Sequence, residues 1–123
     1  MRTRRPTLSL LAAALVALGA AGCGATSTVG ADGRLQVALN EYRVTPQNVR
    51  AHAGLVSIFV HNYGRLTHDL VISRNGQPAV ATKPIMPGQT AELDAALAPG
   101  HYLMASSILS DQALGAYGTL VVH

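Results

Sequence analysis

The chain has 123 residues, a length that suits one small domain. Its nine basic and six acidic residues give a formal net charge of +3, but three arginines stand within the first five residues. Beyond this basic start the charges balance, and no basic stripe of the kind that binds nucleic acid remains. The single cysteine excludes a disulfide bond within the chain, so the domain depends on its apolar core.

Residues 1–22 have the pattern of an export signal. The basic start is followed by an apolar run from Leu8 to Leu18 and by the small residues Gly19–Gly22. The run is shorter than the about 20 residues of a transmembrane helix, although an uncleaved anchor helix is an alternative interpretation. Small residues before Cys23 resemble the lipobox of bacterial lipoproteins, in which the cysteine is acylated and becomes the new N-terminus. We therefore expect lipid on Cys23, with ordinary cleavage that leaves a free thiol as the alternative.

The rest of the chain is predicted to form a tether and one all-β domain. Residues 23–34 are small, polar and glycine-rich, which predicts a flexible tether. In residues 35–123, apolar and polar residues alternate between turn signals such as Asn75-Gly76 and Pro99-Gly100. This pattern predicts a β-sandwich of about seven strands. The predicted strands are 35–44, 48–52, 55–62, 68–73, 90–93, 101–106 and 119–122.

Four stretches of this domain resemble the cupredoxins, the small Greek-key copper proteins. They are Glu41–Pro46, the strand from Ala53 to Asn62 with its following glycine, Thr67–Ile72, and Pro99–Val122. The resemblance covers nearly the whole domain. It implies an all-β Greek-key sandwich or barrel, and it places His68 at the position of the family's first copper ligand.

The other three ligand positions of the family carry different residues. A blue-copper site needs two imidazoles, one thiolate and a weak axial thioether. Aligning the family's ligand loop without gaps places Ser106 at the cysteine position, Asp111 at the second histidine and Ala116 at the methionine. The resemblance therefore implies a vestigial metal site and no type 1 copper. A copper site that uses His68 with non-standard ligands is the alternative.

The residues at these positions are expected to bond to one another. In a cupredoxin-like fold His68, Ser106 and Asp111 converge, so Asp111 is expected to accept a hydrogen bond from His68 with Ser106 nearby. A hydrolase triad is not expected because the sequence has no nucleophile elbow, and we predict that the protein is not an enzyme. Two further side chains are predicted to be structural. Tyr102 resembles a tyrosine corner, and Asn62 is expected to brace the loop that carries His68.

Apolar side chains on the predicted loops indicate a docking surface. These residues are Leu66, Ile108, Leu109 and Leu114. In cupredoxins this end of the sandwich meets redox partners, so the resemblance implies a protein partner here. The sequence therefore predicts an exported domain, held by lipid at the outer face of the cytoplasmic membrane, with a binding or accessory role and no expected cofactor. The alternative is a copper-binding, copper-handling or electron-transfer protein that uses His68.

Overall fold

The computed structural model describes residues 25–123. The export signal and Cys23 lie outside the described residues. Within residues 25–123, no helix is long and apolar enough to cross a membrane. The strands are β1 (Thr26–Thr28), β2 (Arg34–Asn40), β3 (Arg43–Thr45), β4 (Asn48–Ala51), β5 (Gly54–Asn62), β6 (Val71–Arg74), β7 (Gln77–Ala81), β8 (Thr90–Leu97), β9 (Gly100–Ala105) and β10 (Tyr117–Val122).

These strands form two sheets, which confirms the predicted sandwich. The larger sheet has the order β1-β4-β10-β9-β6-β7, and the smaller has the order β3-β2-β5-β8. The sequence predicts about seven strands. The prediction omits β1 and β7, and it treats β2 and β3 as one strand. β7 is an exposed edge strand that contains Pro78, and proline weakens the sequence signal of a strand. β1 has three small polar residues, all exposed, so it shows no alternation.

The core lies between the two sheets and follows the predicted alternation. In β5, Val56, Ile58 and Val60 are buried, and each points toward the other sheet. From the larger sheet, Met104 and Leu120 are fully buried in the same core cluster. Each fully buried Val, Leu, Ile or Met side chain contributes about 1.5–3 kcal/mol relative to an exposed one. With no disulfide available, these contacts hold the two sheets together.

β1 lies within the segment that the composition predicts to be a tether. It pairs parallel with β4, and Thr26 stands opposite Asn48. The next residue after β1, Val29, donates a backbone hydrogen bond to the Arg50 carbonyl at 2.8 Å and buries its side chain in the core. The sheet therefore begins at residue 26.

The two ends of the sandwich carry different loops. The loop end consists of residues 41–42, 63–70, 82–89 and 106–116, which connect β2 to β3, β5 to β6, β7 to β8 and β9 to β10. The far end consists of residues 29–33, 52–53, 75–76 and 98–99. β2 runs parallel to β5, so the residues that follow these two strands meet at the loop end.

Both structural roles predicted for polar side chains are confirmed. The Tyr102 hydroxyl donates to the Ala98 carbonyl at 2.8 Å and fixes the corner before β9. The Asn62 side chain is fully buried, and its amide nitrogen donates to the carbonyls of Leu66 and Ile85, each at 2.8 Å. Asn62 therefore ties loop 63–70 to loop 82–89 and sets the position of His68.

Candidate functional site

His68 is buried at the loop end, with 1% of its surface exposed. Its backbone exchanges two hydrogen bonds with Ile85, at 3.1 Å and 2.7 Å. Asn62 binds the Ile85 carbonyl from the other side. Loop 82–89, itself bonded to Asn62 of β5, therefore holds the backbone that carries the imidazole.

Both ring nitrogens of His68 bind carboxylates. Nδ1 lies 2.6 Å from Asp111 Oδ2, and Nε2 lies 3.0 Å from Glu41 Oε1. An ionised carboxylate only accepts hydrogen bonds, so each nitrogen must carry a proton. Burial lowers the pKa of His68, but the hydrogen bonds and negative charges of Asp111 and Glu41 outweigh burial and raise that pKa above its ordinary value of 6.5. The raised pKa favours the imidazolium form of His68, in which both ring nitrogens donate to carboxylates.

Asp111 is the centre of this cluster. Its Oδ2 accepts a hydrogen bond from Ser106 Oγ at 2.6 Å in addition to the one from His68. Its carbonyl accepts from the Ala116 amide at 2.9 Å, and the Ala116 carbonyl accepts from the Ser106 amide at 3.0 Å. The structure thus brings all four residues of the predicted vestigial site together. Ser106 and His68 both donate to Asp111, so the imidazole does not stand between hydroxyl and carboxylate as it does in a hydrolase triad.

The sequence-based interpretation missed Glu41 as a site residue. Its Oε1 accepts the amides of Arg65 and Leu66, each at 2.7 Å, besides the His68 ring. The hydrogen bond from Leu66 is the largest cause of a pKa lowered from 4.5 to about 2, and those from His68 and Arg65 add to it against the opposing effect of burial. A side chain at Gly64 would collide with this carboxylate. Local periodicity gives no signal for this contact, which arises because Glu41 follows β2 and Gly64 follows the parallel β5.

Asp69 is a second residue that the sequence did not reveal. Its Oδ1 accepts the Ser107 amide at 2.6 Å, and its Oδ2 accepts the Ser107 hydroxyl at 2.5 Å. Ser106 Oγ lies 3.3 Å from both the amide and Oδ1 of Asp69. Asp69 therefore joins loop 63–70 to loop 106–116 beside the His68 cluster.

The polar cluster is internally satisfied. Across residues 25–123, every buried side-chain nitrogen or oxygen has a hydrogen-bond partner. In the same part of the chain, no group of three or more His, Cys, Asp or Glu side chains is arranged to hold a metal ion. We name the side chains of Glu41, His68, Asp111 and Ser106 the polar plug, and their bonds link loops 41–42, 63–70 and 106–116.

The polar plug predicts a stability maximum in mildly acidic solution. Glu41 has a lowered pKa, so its contribution is complete above about pH 4.5 and is lost as the pH falls toward 2. His68 has a raised pKa, so its contribution is complete below about pH 6.5 and is lost as the pH rises through the higher value of the folded state. The free energy of unfolding, measured with urea across this range, should therefore peak between about pH 4.5 and 6.5.

The variant Glu41→Gln provides the control for this profile. It removes the group whose protonation lowers the stability in acid. The decline of the free energy of unfolding below pH 4.5 should therefore become shallower. A wild-type stability that rises steadily from pH 6.5 into alkaline solution would contradict a protonated His68.

Three of the four apolar loop residues predicted to form a docking surface are well exposed. They are Leu66, Leu109 and Leu114. Ile108 is half-buried. Leu114 lines a cleft with Glu41 and Tyr42, so this surface begins directly beside the polar plug.

Solved structures of cupredoxins have the same fold. An auracyanin from Roseiflexus castenholzii is 18% identical with a TM-score of 0.68, covering 76% of this chain and 99% of that chain. Auracyanin A from Chloroflexus aurantiacus, described as a "blue" copper protein, is 16% identical with a TM-score of 0.64, covering 79% and 100%. A purple cupredoxin from Nitrosopumilus maritimus is 17% identical with a TM-score of 0.58, covering 72% and 99%.

These likenesses show that the chain has the cupredoxin fold, as the resemblance in its sequence implies. No protein-family model matches the sequence, and no curated protein matches it. At such low identities the fold alone is shared, so function has to be argued from the side chains at the loop end.

Proposed function

We propose that this chain is a lipid-anchored cupredoxin-fold protein of the cell envelope with a binding or accessory role. It is exported, acylated on Cys23 and held at the outer face of the cytoplasmic membrane. It is neither an enzyme nor a blue-copper electron carrier. One observation carries the proposal: both nitrogens of the His68 ring are bonded to carboxylates.

The donor set supports a closed site, because it does not fit type 1 copper. The thiolate is the defining ligand of such a site, and the hydroxyl of Ser106 stands in its place. Asp111 Oδ2 occupies the point on which Ser106 Oγ and His68 Nδ1 converge, 2.6 Å from each. An ion could reach His68 only by displacing a buried carboxylate from its partners, and a buried charge without a partner is strongly unfavourable.

The polar plug also supports a structural role for the same residues. It joins three loops that are distant in the sequence, as a metal ion would, but with hydrogen bonds. The loop end is thereby kept rigid, with apolar side chains presented on its surface. A rigid apolar surface on an anchored domain fits a binding or accessory role better than a catalytic one.

Metal titration of the purified protein tests this proposal. Addition of Cu(II) should give no intense thiolate-to-copper absorption, because no thiolate is available in the domain. Isothermal titration with Cu(I), Cu(II) and Zn(II) near pH 6 should show no submicromolar binding, because both His68 nitrogens are engaged.

Two histidine variants decide the alternative. Submicromolar binding that is lost in His68→Ala and kept in His101→Ala would establish a copper-handling protein with non-standard ligands and overturn the proposal. His101 is the matched control because it is an exposed imidazole on β9. Circular dichroism of both variants checks that the domain is folded.

A further inference from the structure

The position of β1 determines where the chain leaves the sandwich toward Cys23. Thr26 pairs with Asn48, and Asn48 pairs with Thr119 in the parallel strand β10. Thr119 lies two residues from Tyr117, where β10 begins at the loop end. Because β1, β4 and β10 run in the same direction, the N-terminal side of Thr26 faces the loop end.

The short distance along the chain restricts how the domain can sit on a bilayer. Cys23 precedes Thr26 by three residues, which span at most about 10 Å when fully extended. About 7 Å of this is needed to reach the level of Tyr117. The far end begins at His52, which is four residues from Asn48 and about 14 Å away in the opposite direction. Cys23 can therefore lie level with the loop end, and it cannot reach the far end.

The loop end exposes several large apolar side chains. Its exposed large apolar side chains include those of Tyr63, Leu66, Met86, Leu109 and Leu114. Leu109 is 96% exposed and has a left-handed backbone with φ of 49°. This conformation is unfavourable for a bulky residue, and here it directs a leucine into solvent. An apolar side chain held outward in this way indicates a contact surface.

The acidic and the basic side chains of the loop end have different surroundings. Its acidic side chains accept hydrogen bonds within the polar plug or beside it, and these are Glu41, Asp69 and Asp111. The exposed basic side chains on or next to its loops are those of Arg43, Arg65 and Lys83. Across the described residues, the only ion pairs are the two made by His68. The loop end therefore presents cations together with apolar side chains, a combination that binds anionic lipid surfaces.

We propose that the loop end lies on the membrane surface, with Leu66, Leu109 and Leu114 inserted at the boundary between headgroups and acyl chains. Arg65 and Lys83 then lie at the level of the anionic headgroups. The inference rests on the acylation of Cys23 in the proposed function. A bilayer is favoured over a protein partner because the two residues between Cys23 and Thr26 leave no space for a protein domain between the loop end and the lipid.

Tryptophan fluorescence tests this orientation, because the chain has no tryptophan of its own. The acylated full-length variants Leu109→Trp and Leu55→Trp are reconstituted into phosphatidylglycerol–phosphatidylcholine vesicles with brominated acyl chains. Leu55 is the matched control, an exposed leucine at the start of β5 beside the far end. Interfacial apolar side chains sit about 5–10 Å deep, so the bromines should quench the emission of Leu109→Trp about twofold. The emission of Leu55→Trp should not change, and Leu66→Trp should behave like Leu109→Trp.

The outcomes separate this inference from the proposed function. If the wild-type chain floats with vesicles and the Cys23→Ala variant does not, the lipid anchor is established. If the wild-type chain does not float with vesicles, the anchor itself fails. If the chain floats while Leu109→Trp and Leu55→Trp are quenched equally or not at all, only the orientation is overturned. If the indole of Leu109→Trp is shielded from solvent in native membranes but not in protein-free vesicles, the surface binds a protein partner. That result would also overturn the orientation.

Discussion

The variant Asp111→Ala is expected to lower the free energy of unfolding by about 3–5 kcal/mol. It removes the nearer and more buried of the two carboxylates that pair with His68, the one 2.6 Å from Nδ1. It also leaves Ser106 Oγ without its shorter hydrogen bond. Urea denaturation near pH 6 measures the loss, because His68 is protonated at that pH and the polar plug is complete.

Two comparisons show whether the loss comes from the buried charge. Asp94→Ala removes an exposed carboxylate of β8 that accepts a hydrogen bond from Ser57 at 2.7 Å, and it should cost only about 0.5–1.5 kcal/mol. The double variant His68→Leu with Asp111→Leu removes both charges, so much of the stability should return. If Asp111→Ala cost no more than Asp94→Ala, the polar plug would not stabilise the fold.

The triple variant Ser106→Cys, Asp111→His and Ala116→Met is expected to bind Cu(II) and become intensely blue. These changes supply the thiolate, the second imidazole and the thioether of a type 1 site. Removal of the Asp111 carboxylate frees Nδ1 of His68, while Glu41 still holds Nε2 at 3.0 Å. A carboxylate behind a ligating histidine orients the ring toward the metal, so Glu41 would serve the new site. Absorption spectroscopy with Cu(II) gives the result.

The double variant Ser106→Cys with Ala116→Met is the matched control for this colour. It has the thiolate, but the Asp111 carboxylate still binds Nδ1, so the blue absorption should be weak or absent. A triple variant that folds and binds no copper would show that the four positions no longer have the geometry of a metal site. A blue double variant would show that Asp111 does not block the ion.

Much of the fold could be predicted because local periodicity and burial coincide. The alternation of Val56, Ile58 and Val60 in β5 matches their burial one by one. β1 could not be found this way, because all its side chains are exposed and its backbone pairing with β4 leaves no alternation in the sequence. Composition alone therefore gives no sign of the strand at Thr26–Thr28.

The polar plug was predictable only where it lies within aligned loops. His68, Ser106 and Asp111 occupy positions of a loop frame that resembles a family's ligand set, and their contact followed from it. Glu41 matches no ligand position of the family. It approaches His68 from the end of β2, a strand of the smaller sheet. Its role depends on the parallel pairing of β2 with β5 and on the absence of a side chain at Gly64. Neither feature appears in local periodicity.

The exposed edge strands also have a consequence for crowding in the bilayer plane. If the lipid proposed on Cys23 holds every copy at the same point, the copies share one orientation and neighbours would meet with their sheet edges aligned, the arrangement that favours intermolecular strand pairing. β7 carries Pro78, which lacks a backbone donor, and its pairing with β6 shifts register between Ile72 and Ser73. β8, the long edge of the smaller sheet, carries Glu92 and Asp94. Each long edge thus has a feature that keeps densely packed copies separate.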